Sequence, residues 1–96
     1  MSEVKLLLEN DGNGMFYIMD GEESLAEMRI MVKDDTITAR HTEVLPKAEG
    51  TGLGKVLFDE LVNYTRNNKL TLNPLCSFVA TRLKKSPDEY ADIWKN

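Results

Sequence analysis

Three alternate glycines, Gly50, Gly52 and Gly54, stand between a strand-like run that stops at Pro46 and a helix-like run that begins near Leu53. Glycine gives up more conformational freedom on folding than any other residue, so such a cluster implies backbone at positive φ or a ligand lying against the main chain. A strand-to-helix turn of this kind also aims unpaired N–H groups and the positive end of a helix dipole at one spot. That is an anion site needing no basic side chain.

The residues around the junction sort by period. "VKLLLE" from Val4 and "MFYIMD" from Met15 flank "NDGNG", whose Asn, Asp and Gly mark a hairpin connection. "LAEMRIMV" from Leu25 alternates well enough for a half-buried third strand, turned at Asp34 and Asp35, and "TITARHTEVL" from Thr36 supplies a fourth. After Gly52 the period lengthens: Leu53, Val56, Leu57, Leu61 and Tyr64 share one helical face, while Lys55, Asp59, Glu60 and Asn63 point away. That helix should stop at Asn67 and Asn68, where Asn tolerates a left-handed cap. "LTLNP" reads as a fifth strand and "CSFVATRLKK" as a second helix. In "SPDEY", Ser86, Pro87 and Glu89 have the spacing of a capping box and predict a third, short helix.

Composition narrows the classes of function. A chain of 96 residues is one domain, 1–96, with 42% hydrophobic and 29% charged residues, close to globular averages. No apolar run approaches the length of a membrane span. "MSEVKLLLEND" has neither a basic lead nor a small-residue cleavage site, so a cytoplasmic location is expected. One cysteine and one histidine leave no disulfide and no zinc ligand set, so no metal is expected. The net charge of −4 argues against nucleic-acid binding, which needs a basic face. Two familiar phosphate loops fail on spacing. A Walker loop requires glycine at 49 and Ser or Thr at 56, where Glu49 and Val56 stand, and the dinucleotide pattern requires glycine at Lys55.

Four strands, a GxGxG turn, an amphipathic helix, a short strand and a helix resemble the GNAT acetyltransferases. "HTEV" at His41, "GTGLGKVL" at Gly50, "NPLCSFV" at Asn73 and "SPDEY" at Ser86 more closely resemble a very short GNAT-like family, whose members carry HTxV, PxCS(Y/F)V and HPEY-like motifs in that order. The resemblance implies an α/β fold with a mixed, largely antiparallel sheet of five strands and helices packed on it. It implies that acetyl-CoA lies between splayed strands four and five. Gly50, Thr51, Gly52, Leu53, Gly54 and Lys55 would then receive the pyrophosphate, and the Val44 backbone the pantetheine arm. Where the pattern usually has Gln or Arg, this chain has Glu49, which removes a positive charge; Thr51 and Lys55 are the residues able to compensate.

Three residues are candidates for chemistry. Cys76 sits at a helix start, where N–H groups favour thiolate, although a free cysteine is also commonly a buried small hydrophobe. The resemblance implies that it lies near the thioester, either taking the acetyl group or lining the site. His41 titrates nearest neutral pH and is the natural base for an ammonium, the alternative being a strand histidine bonded to backbone. Glu43 shares its face and either orients His41 or is itself the base, whereas Thr42 and Val44 face the other way. Arg82 to Lys85 read as a solvated helix face or as a contact to the ribose phosphate. The expected activity is acetyl transfer from acetyl-CoA to an unidentified amine, small-molecule or protein, by a monomer or weak homodimer. The excess of acids points only weakly to a cationic acceptor. The rivals are an acyl-CoA binding or sensing module without turnover, and a structural domain that uses the glycines for packing alone.

Overall fold

The structure, a computed structural model, describes residues 3–94. Strands β1 (Val4–Leu8), β2 (Asn13–Asp20), β3 (Glu23–Lys33) and β4 (Thr36–Val44) form an antiparallel meander. Helix α1 (Leu53–Asn67) then crosses over to β5 (Thr71–Pro74), which pairs parallel to β4, and α2 (Ser77–Lys85) follows. The sheet order is β1-β2-β3-β4-β5, the expected mixed and largely antiparallel arrangement.

Alternation decides which face is buried. Phe16, Ile18, Ala26, Met28, Ile30, Ile37, Ala39 and Leu72 project from one face into a single cluster with Leu57, Phe58 and Leu61 of α1 and with Val79 and Leu83 of α2. Leu57 and Leu61 are fully enclosed; burying each such side chain stabilises the fold by about 1.5–3 kcal/mol. Tyr64 meets Phe16 edge-on at 5.6 Å between ring centroids. Among the described residues no helix covers the opposite face, where Met15, Tyr17 and Met31 remain half-buried and Arg29, His41 and Glu43 are exposed.

A β-bulge interrupts the β3–β4 ladder. Ile30 pairs with Ala39 and Arg29 with His41, which leaves Arg40 as the extra residue. Ile37 and Ala39 face the core, and one residue of slip makes Thr42 and Val44 the next to do so. Under unbroken alternation His41 and Glu43 would have taken those places.

Two expectations need correction. The left-handed residue after α1 is Lys69, at φ 55°, rather than an asparagine. Asn68 instead donates its side-chain amide to the Tyr64 carbonyl at 2.9 Å, while the Leu70 N–H bonds to Thr65 O at 2.9 Å, the bond that closes a Schellman motif. "SPDEY" forms no helix: residues 87–93 are a chain of turns. So short a segment cannot offset the cost of helix nucleation; the N–H groups of Glu89, Tyr90 and Ile93 close isolated turns onto Ser86, Pro87 and Tyr90, and tertiary contacts hold the segment in place. Ile93 O accepts the Leu72 N–H at 2.7 Å, Arg66 binds Asp92 at 2.8 Å, and Tyr90 packs edge-on against Phe58.

Candidate active site

β5 accompanies β4 only from Thr36↔Thr71 to Ala39↔Pro74. The next two N–H groups of the chain, from Leu75 and Cys76, both converge on Ala39 O, at 3.0 and 2.9 Å, and α2 then leads away. From Arg40 onward β4 has no neighbour on that side, so the two strands part. Cys76 is the N-cap of α2, and its Sγ lies 3.3 Å from Thr42 Oγ1. This pair, drawn from the unpaired end of β4 and the start of α2, bridges the gap. Cys76 is 9% exposed.

On the helical side the opening continues into a groove of about 370 Å³ that contains Thr42, Val44, Glu49, the glycine turn, Phe78 and Arg82. Gly50 and Gly52 have φ of 83° and 86°, and a Cβ on either would meet nothing within 4 Å. The turn therefore requires glycine for backbone reasons while its surface stays open. Gly54 requires it for packing, since a Cβ there would come within 2.9 Å of Phe78. Gly52 is the N-cap of α1, provides no side-chain cap, and is followed by no acid in the first turn. Val56 is the first residue to bond back, to Gly52 O at 3.1 Å, so the N–H groups of Leu53, Gly54 and Lys55 have no intrahelical partner. These three residues line the groove, and free N–H groups at a helix start are the arrangement that suits an anion.

The side chains expected to offset Glu49 are otherwise engaged. The Thr51 hydroxyl donates to Ala48 O, and Lys55 Nζ pairs with Asp59 Oδ2 at 2.8 Å. Arg82 reaches into the groove instead. Its guanidinium carbon lies 4.9 Å from the Phe78 ring centroid and 5.8 Å from that of Phe58, and its Nε is buried with no hydrogen-bond partner among the described residues. An unpartnered buried donor in a groove next to free backbone N–H groups fits a phosphate-bearing ligand such as acetyl-CoA. The sequence did contain a signal: Phe78 and Arg82 are four apart on one helix, the spacing at which a ring can support a guanidinium.

The three candidates for chemistry do not converge. His41 and Glu43 share the outer face, with Nε2 and Oε1 3.9 Å apart and both side chains more than half exposed. Cys76 and Thr42 belong to the helical face. The bulge at Arg40 is the cause, and the outcome is a strand whose end presents a different group to each side of the opening.

Comparison with known proteins agrees with this geometry. A family model described as GCN5-related N-acetyl-transferase matches residues 15–93. The NMR solution structure of a GCN5-like protein from Staphylococcus aureus is 33% identical and superposes with a TM-score of 0.71 over 100% of this chain and 92% of that one. The crystal structure of the ribosomal-protein-S18-alanine N-acetyltransferase from Escherichia coli is 20% identical, with a TM-score of 0.60 over 67% of this chain and 42% of that one, a likeness of fold. No curated protein matches the chain. Among the described residues no helix is long and apolar enough to cross a membrane, and no cluster of metal-ligating side chains occurs. With the match running from β2 through the glycine turn and both helices, this chain belongs to the GCN5-related N-acetyltransferases.

Proposed function

We propose that the chain is an acetyl-CoA-dependent N-acetyltransferase of the cytoplasm that acts on a primary amine. The observation that carries the reading is the groove itself, lined both by the glycine turn with its free N–H groups and by Arg82, whose Nε has no partner among the described residues, beside the parting of β4 and β5. Leu53, Gly54 and Lys55 would hold the pyrophosphate through their backbone, Arg82 through its side chain, and Val44 the pantetheine arm through its backbone. When bound, acetyl-CoA supplies a thioester carbonyl carbon to the amine lone pair, the C–N bond forming as the C–S bond breaks and coenzyme A departs as the thiol.

The residues of the chain handle position and protons. His41 accepts the proton that the ammonium must lose before attack, and Glu43, 3.9 Å away, orients the ring or takes that proton itself. Cys76 lines the opening with its thiol tied to Thr42, an arrangement that favours direct attack by the amine over a covalent acetyl-cysteine. One observation favours binding without turnover: the Glu49 carboxylate lines the same groove and weakens the hold on phosphate. Calorimetric titration with acetyl-CoA, followed by an assay of thiol release with a set of amines, separates the readings. Binding should be lost in Arg82→Gln, and transfer should survive Cys76→Ala but not His41→Ala. Binding with no release for any amine would leave the sensing module, and no binding at all would sink both.

A further inference from the structure

The outer face of the sheet contains an open hollow of about 560 Å³ in which Arg29, Arg40 and His41 surround an apolar floor of Leu7 and Met15. Arg40 and His41 are the first two residues of β4 beyond Ala39, the last residue paired with β5, so this hollow opens where the strands part. Only Glu9 among its lining residues opposes the two arginines in charge, which inverts locally the sign of a chain of net charge −4.

Both arginines are held in place. Arg40 is the bulge residue, and its Nη1 donates to Asn13 Oδ1 at 3.3 Å. Asn13 is itself fixed by Asp11, which accepts its side-chain amide at 3.1 Å and its backbone N–H at 3.0 Å. Arg29 Nη2 touches Glu27 Oε1 at 3.2 Å, and its other guanidinium donors have no partner among the described residues. Beside Arg29 lie carboxylates, because the register sets Arg29 opposite His41 and, two residues along each strand, Glu27 opposite Glu43. Two arginines beside two carboxylates complement a zwitterion.

We propose that the acceptor is a small amino acid, bound with its carboxylate on Arg29 and Arg40 and its nitrogen toward His41 and Glu43. This rests on the N-acetyltransferase reading and adds the class of acceptor. A charge-assisted Arg–carboxylate contact fixes both position and orientation, which a lone ammonium on an exposed face would lack. The local pattern thus outweighs the overall acidity, which points to a purely cationic acceptor.

The test is an assay of acetyl transfer to a panel of α- and ω-amino acids and their decarboxylated counterparts, with acetyl-CoA binding measured separately by calorimetry. Amino acids should be preferred over the matched amines by at least about ten-fold in kcat/KM, the loss typical of one charged hydrogen bond. Arg40→Gln and Arg29→Gln should raise KM for the amino acids by a similar factor and leave both the matched amines and acetyl-CoA affinity unaffected. Lys69→Gln removes the same charge in the turn after α1, away from the outer face, and should change nothing. As a readout without turnover, the N-acetylated amino acids should shift the backbone amide signals of Arg29, Arg40 and His41, and not in Arg40→Gln. Equal or better transfer to decarboxylated amines overturns the proposal, as does the absence of both transfer and shifts across the amino acids in protein that binds acetyl-CoA. Failure to bind acetyl-CoA overturns the activity on which it rests.

Discussion

Replacing Gly52 by valine separates what the glycine turn does for the fold from what it does for a ligand. The residue stands at φ 86°, ψ 8°. A non-glycine residue in that region costs about 1–2 kcal/mol, and valine lies at the upper end because it is β-branched. The new Cβ meets no atom within 4 Å, so no steric cost is added. Removing glycine from the unfolded chain returns about 0.4–1 kcal/mol. The net destabilisation is therefore about 1–1.5 kcal/mol, equivalent to a fall in Tm of about 4–12 °C for a domain of this size, and the variant stays folded. Asparagine tolerates the left-handed region, so Gly52→Asn should lose about half as much stability or less while placing comparable bulk beside the groove. If phosphate approaches the main chain there, both variants lose affinity for acetyl-CoA by at least about ten-fold, in step with bulk rather than with strain. Thermal unfolding by circular dichroism and titration calorimetry read the two quantities. Wild-type affinity in folded Gly52→Asn would refute the close approach, and an unchanged Tm in Gly52→Val would refute the strain.

Other consequences can be checked independently. Glu49→Arg places a charge-assisted donor where a carboxylate now lines the groove, so acetyl-CoA affinity should rise by up to about ten-fold at low salt and fall back as salt is added; weaker binding would mean that Glu49 serves another role. Lys69 occupies the left-handed position after α1, and Lys69→Gly should stabilise the fold by about 0.5–1 kcal/mol in urea unfolding, with no change in acetyl-CoA binding. Arg66 holds the Asp92 carboxyl below its usual value of 3.8 by a hydrogen bond, so the tie between α1 and the terminal turns is intact above that pH and is lost as pH falls through the lower folded value. Fluorescence of the buried Trp94 should report this acid step, and Arg66→Gln should abolish it.

The fold was legible where a residue's neighbours in sequence decide its environment. The alternation of β2 to β4 and the three- and four-residue steps of α1 were readable because one face of each is buried against the other. The capping-box spacing at Ser86 misled: the N–H groups there close isolated turns, and the segment is tied down by Leu72 and Arg66, residues the local pattern cannot see. The site divides in the same way. Glycines announced the turn, whereas the Cys76–Thr42 contact spans thirty-four positions and depends on where β5 leaves β4. The assignment of His41 and Glu43 to one face and Thr42 and Val44 to the other was readable from alternation. Which pair faces the helices was not, because a single unpaired residue at Arg40 decides it.

That extra residue has a consequence for how the protein can change. Removing it would exchange the two sides of the strand beyond it, turning Thr42 and Val44 outward and driving the charged His41 and Glu43 toward the helices, so β4 cannot alter in length by one without losing both surfaces together. Substitution is far less constrained. Arg29, Arg40, His41 and Glu43 touch water rather than the hydrophobic interior, and none of them lines the groove beside the glycine turn. The sheet therefore carries two surfaces that can be rewritten separately, and on the proposed function a library at Arg29 and Arg40, with His41 and Glu43 kept, would vary the outer surface while the groove stays as it is.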